Sequence, residues 1–133
     1  KAFILHLKID RSEVEKAKRD IGLTKRKENE KLFESLNPIV SVIKNEAAKQ
    51  AAYWASQNED DKKNDKISKI ILCGGESTLA GLPEFLSYEL KMRVELGNPW
   101  VNAVSFEDYI PEIEMRDSLA YSTAIGLALR QVD

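Results

Sequence analysis

The run Lys69-Ile70-Ile71-Leu72-Cys73 constrains the fold more than any other stretch of this chain. It is short, apolar and rich in β-branched residues, which predicts a buried strand. Gly74-Gly75 breaks it. Leu79, Leu82, Phe85, Leu86 and Leu90 then recur at helical spacing, with Pro83 suited to a first turn. Val94-Glu95-Leu96 predicts a second strand, stopped by Gly97-Asn98-Pro99. Strand, glycine turn, helix and strand make an α/β arrangement.

The residues before this strand predict helix. Asp10 or Ser12 caps a helix to about Asp20, and Gly22 supplies the left-handed residue that commonly ends one. Residues 25–31 read as a polar connector, anchored by Leu32, Phe33 and Leu36. Asn37-Pro38 is the clearest start signal, because proline at a first helical position loses no hydrogen bond. From there Ile39, Val40, Ile43, Ala47, Ala51 and Trp54 predict a long amphipathic helix through about Gln57. Residues 58–65 are too charged to pack. Beyond the second strand, 100–113 is irregular. Asp117 or Ser118 then caps a last helix through Arg130, with Leu119, Ala120, Ala124, Leu127 and Ala128 on one side. The expected division is a helical part over 1–66 and a strand-helix-strand-helix part over 67–133, together one structural unit.

At 133 residues the chain has the size of one domain. Twenty basic and 22 acidic side chains leave −2, so bulk charge does not draw it to nucleic acid or anionic membrane. The charge is uneven, with fifteen basic against twelve acidic residues in 1–66 and five against ten in 67–133. A single cysteine excludes an internal disulfide, and one cysteine with one histidine cannot assemble a structural zinc site. No run approaches the ~18 apolar residues of a membrane span. A soluble, reduced, intracellular chain is expected. It starts at Lys1 rather than methionine, and reads as a processed piece or an excised domain.

The glycine turn is the first place that proposes a site. Glycines at the end of a strand let a ligand approach the backbone, and a following helix start presents unpaired N–H groups to a phosphate or base. The same Gly74-Gly75 pair is also what an ordinary tight turn needs, and residues alone leave both readings open. Glu46-Ala47-Ala48-Lys49 is a second candidate, since residues three apart share a helix face. Its plain alternative is an exposed intrahelical ion pair worth about 0.3 kcal/mol.

The stretch from Ile70 to Leu86, with Cys73-Gly74-Gly75-Glu76-Ser77 and Gly81-Leu82 inside it, resembles the adenosine motif of the actin-like ATPase superfamily. Within that superfamily it is most similar to the type IV pilus assembly PilM family, related to the FtsA cell-division family. Val94-Glu95-Leu96-Gly97-Asn98-Pro99 resembles the pattern before that family's Asn-Pro-Phe. Ala124-Ile125-Gly126-Leu127-Ala128-Leu129-Arg130 is similar to its C-terminal helix, and Ile9 through Leu23 to its Ala-Glu-x-x-Lys helix. The resemblance covers nearly the whole chain and is most specific in the C-terminal half.

The resemblance implies a partial actin-like ATPase (ribonuclease H-like) lobe: a small sheet with packed helices and a long helix. Residues 1–66 would correspond to subdomain IIB and 67–133 to the end of subdomain IIA, truncated at the N-terminus. It implies ATP and magnesium as ligands of the intact protein, with neither held tightly by this piece alone. Gly74 and Gly75 would approach the adenosine or α-phosphate through their backbone, Ser77 would support the turn, and Glu46 with Lys49 would hold ribose and base. No catalytic residue and no metal ligand is assigned; the piece alone is not expected to hydrolyse ATP, whereas the intact protein would be at most a weak ATPase. The implied role is a cytoplasmic scaffold of pilus assembly, peripheral to the inner membrane, working with inner-membrane proteins such as PilN and not with nucleic acid. A lobe missing its counterpart would pair or swap elements with a second copy.

Two features depart from the family pattern. Glu76 stands where relatives carry a small residue, and a carboxylate beside phosphates is repulsive unless it points away. No strand leading into an Asp-x-Gly phosphate loop is read in the 133 residues; the one such triplet, Asp20-Ile21-Gly22, closes a helix pattern. Alternatives are an FtsA-like cell-division protein, a piece of a sugar-kinase-like enzyme, or a ligand-free helical interaction module. The FtsA reading lacks its amphipathic tail after Arg130.

The remaining residues read as packing or surface. His6 has no ligand-spaced neighbour and Cys73 reads as a small core hydrophobe. Tyr53, Trp54 and Trp100 read as core or lobe-packing aromatics, and Lys25-Arg26-Lys27 as a solvated connector. Glu107, Asp108, Glu112 and Glu114 lack the spacing of a calcium loop.

Overall fold

The computed structural model describes residues 11–24, 30–57 and 67–130. Helix α1 spans Arg11–Asp20, α2 Glu30–Gln57 and α3 Leu82–Leu90. Strands β1, Lys69–Leu72, and β2, Arg93–Leu96, pair in a two-stranded parallel sheet with α3 in the crossover. Residues 115–128 form α4, Met115–Ser118, a 3-10 turn, Leu119–Tyr121, and α5, Ser122–Ala128. The mixed helix and parallel sheet are compatible with the α/β class. Asp10, His6, the connector with Lys25-Arg26-Lys27 and the charged tract at 58–65 lie outside the described residues.

Several expectations are corrected. The long helix starts at Glu30 and carries Pro38 inside it, instead of starting at Asn37-Pro38. Proline leaves the Glu34 carbonyl without its helical donor, a loss of about 3 kcal/mol in a helix interior. However, Leu32, Leu36 and Val40 are all buried at steps of four residues, one continuous stripe that only an unbroken helix can present. Burial across the proline offsets the missing bond. The stripe is also narrower than the periodicity suggests, because Ile39 and Trp54 are exposed.

Strand β1 is not buried on both faces. Ile70 and Leu72 are half-buried while Lys69 and Ile71 are exposed, and Cys73 is exposed as well. Tyr53 and Trp54, expected as packing aromatics, are 61% and 52% exposed; Trp100 is half-buried. The last helix is broken at 119–121, and no residue of α5 is buried. Leu119 alone of the expected apolar side is buried.

Contacts group the chain into two compact units, each made of two stretches. The first holds Lys1–Ile70 with Leu79–Val94. Here α2 and α3 pack together, and Val14, Leu32, Leu36, Val40, Leu82 and Leu86 are buried. Lys44 on α2 pairs with Glu89 on α3, Nζ to Oε2 3.2 Å. Gly22, at φ 46°, ends α1 as expected and turns the chain so that Leu23 N–H donates to the Ala80 carbonyl at 2.7 Å. Ala80 N–H donates in return to the Lys18 carbonyl at 3.1 Å. The second unit holds Ile71–Thr78 with Glu95–Asp133, and its buried residues include Ser77, Thr78, Ser118 and Leu119.

Candidate functional site

The glycine turn belongs to the second unit. Gly74 has φ 95°, a conformation that L side chains rarely adopt, and a Cβ built on it would meet nothing within 4 Å. Its backbone is therefore open to close approach. Gly75 is exposed, and its Cβ position would lie 3.7 Å from the Ala120 Cβ.

The turn does not lead straight into an α-helix, as the spacing predicted. Residues Gly75–Thr78 form a 3-10 turn, and α3 begins only at Leu82, with Gly81 in the left-handed region as its N-cap and Pro83 in its first turn. Side chains account for the tighter winding. Ser77 Oγ donates to the Gly74 carbonyl at 2.6 Å and Thr78 Oγ1 to the Gly75 carbonyl at 2.7 Å, both three residues back. Ser77 is buried and its hydroxyl is engaged with the turn itself. The approach offered to a ligand is thus the glycine backbone rather than the end of a long helix. Glu76 is exposed.

Glu46 and Lys49 lie on α2, in the first unit. Lys49 Nζ is 3.9 Å from Glu46 Oε2, and Gln50 Nε2 donates to Glu46 Oε1 at 2.9 Å. Both charged side chains are more than half exposed. Next to this network is a recess of about 420 Å3 with mainly apolar walls, lined by Ala47, Gln50, Ala51, Trp54, Ile67 and Ile70 among others. Sequence reasoning missed it. The signal was present in the small Ala47 and Ala51 one turn apart, with Trp54 beyond them.

Sequence reasoning also missed the groups that tie the glycine turn down. Gly74 N–H donates to the Leu119 carbonyl at 2.9 Å, and the Arg116 guanidinium donates to the Thr78 carbonyl at 2.5 Å. Among the described residues, no group of three or more His, Cys, Asp or Glu side chains is placed to hold a metal ion, and Glu107, Asp108, Glu112 and Glu114 do not form one. No helix among them is long and apolar enough to cross a membrane.

The family model described as type IV pilus assembly protein PilM matches residues 2–132. The chain belongs to the PilM family. The match runs across both units, so PilM-family membership covers the glycine turn, the long helix and the C-terminal elements alike. It associates the chain with type IV pilus assembly. No curated protein matches the chain.

Proposed function

We propose that this PilM-family chain is a nucleotide-binding lobe of actin-like type, serving as a scaffold in pilus assembly. The observation that carries the reading is the open backbone at Gly74. A strand ends there in a left-handed glycine with no atom over its Cβ position, which suits close approach by an adenosine or an α-phosphate. Ser77 and Thr78 shape the turn without obstructing that glycine. Glu46 and Lys49, in the first unit, have by themselves the chemistry for ribose hydroxyls and ring acceptors, a carboxylate for the former and an ammonium for the latter, and their part is tested separately. ATP supplies a phosphoanhydride whose binding would be coupled to movement of the scaffold. The described residues offer no cluster of three or more His, Cys, Asp or Glu side chains for magnesium. Action at the cytoplasmic face of the inner membrane, with proteins such as PilN, is part of the same proposal.

One observation favours the ligand-free reading. Glu46 already accepts a hydrogen bond from Gln50 and pairs with Lys49 on its own helix, as a solvated surface network would. Calorimetric titration of ATP-Mg into the intact protein, rather than this piece alone, separates the two. Glu46→Ala is expected to weaken binding about tenfold, the size of a charge-assisted hydrogen bond lost to ligand. Unchanged affinity removes Glu46 from the site, and no heat of binding to the unaltered chain removes the nucleotide reading.

A further inference from the structure

The Gly74–Thr78 turn is held at both of its ends by one short stretch of chain 40 or so residues away in sequence. At its start, Gly74 N–H donates to the Leu119 carbonyl at 2.9 Å. At its finish, Arg116 Nη2 donates to the Thr78 carbonyl at 2.5 Å. That carbonyl closes a 3-10 turn, where backbone acceptors run out of helical donors. A guanidinium is a strong partner for it, because a charged donor makes a shorter and stronger bond than a neutral one.

The stretch that supplies both tethers is itself fixed. Ser118 is fully buried, its N–H donates to the Glu114 carbonyl at 2.9 Å and its Oγ to the Met115 carbonyl at 2.6 Å. Leu119 is buried to 1% exposure. Between the tethers, the Gly74 Cβ direction stays empty. The result is a turn clamped from one side and open on the other.

We infer that Arg116 is a positioning residue, which together with the Leu119 carbonyl holds the Gly74–Thr78 turn in the conformation a ligand approaches. This rests on the nucleotide reading for the identity of the ligand, but the clamp itself is a property of the free chain. Arg116 touches the turn and not the ligand. Its effect on affinity comes from preorganisation: a turn already in its bound shape loses less conformational freedom on binding.

Amide hydrogen exchange and ATP-Mg titration on the intact protein test it together. In Arg116→Ala, exchange at Gly74 and Ser77 is expected to accelerate about tenfold or more, with Phe85 in α3 unmoved, and the Kd for ATP-Mg to rise by a similar factor. Arg116→Lys keeps the charge and one donor, and should recover most of both effects. Unmoved exchange at Gly74 and Ser77 overturns the inference. So does acceleration shared equally by Phe85, which is general destabilisation, or wild-type affinity in Arg116→Ala. If the unaltered chain binds no ATP-Mg, the nucleotide reading fails, and the clamp then stands or falls on exchange alone.

Discussion

Gly22 sits against Ala80 with no room between them for a side chain. A Cβ on Gly22 would lie 2.8 Å from the Ala80 nitrogen, 2.8 Å from the Lys18 carbonyl oxygen, and closer still to the Ala80 carbonyl oxygen. All of these are backbone atoms, which cannot swing aside as a flexible side chain can. The residue's φ of 46° adds strain for any substituent.

Gly22→Ala is therefore expected to destabilise the chain by about 2–4 kcal/mol. Left-handed strain contributes about 1 kcal/mol, and the rest comes from displacing the bonds Leu23 to Ala80 and Ala80 to Lys18. Denaturant unfolding measures it. Gly126→Ala is the control: that glycine lies in α5 with nothing within 4 Å, so the change should be neutral or stabilising by up to about 1 kcal/mol. Equal effects at both positions would refute the close approach.

Gly74→Ala separates strain from access. No atom is within 4 Å of the new methyl, so stability should fall only by the left-handed strain, about 1 kcal/mol. Affinity for ATP-Mg should fall by at least about tenfold, because the methyl projects where the ligand comes nearest. A variant that loses stability but binds normally would place the ligand elsewhere.

Glu76 is the position where electrostatics oppose the proposed ligand. Its carboxylate is exposed two residues from Gly74 and carries the sign of the phosphates. Glu76→Ser is expected to tighten ATP-Mg binding a few-fold, and more at low salt than at high, since screening weakens exposed charge pairs. Salt-independent affinity in both forms would mean that the carboxylate does not face the phosphates.

Pro38→Ala tests the reading of the long helix. Alanine restores the donor for the Glu34 carbonyl without altering the buried stripe of Leu32, Leu36 and Val40. A gain of about 1–3 kcal/mol in unfolding free energy is expected. A loss would show that the proline is needed where it stands.

Much of the local structure was legible without coordinates. Both strands, the first helix and the left-handed Gly22 follow from spacing and turn residues. Errors fell where a local signal met a distant partner. Asn37-Pro38 is a strong start signal taken alone, and packing on both sides of it overrides that signal. The regular apolar spacing at 119–128 suggested one helix, but the backbone winds as a 3-10 turn over Leu119–Tyr121, where Leu119 is buried. Gly74 and Gly75 were found as candidates from their type and place, whereas Arg116 was not, since nothing in its neighbours marks an arginine that reaches 38 residues back.

What the amino-acid order determined by itself is the conformation of short stretches, because strand pairing potential, helix stops and glycine turns depend on sterics between near neighbours. What only the tertiary structure decided is which of these stretches meet. The grouping of 71–78 with 95–133, the tethers on the glycine turn and the continuous helix through Pro38 all depend on groups far apart in the chain. Their free energy comes from burial and from hydrogen bonds closed across long loops, and neither is written in any local window.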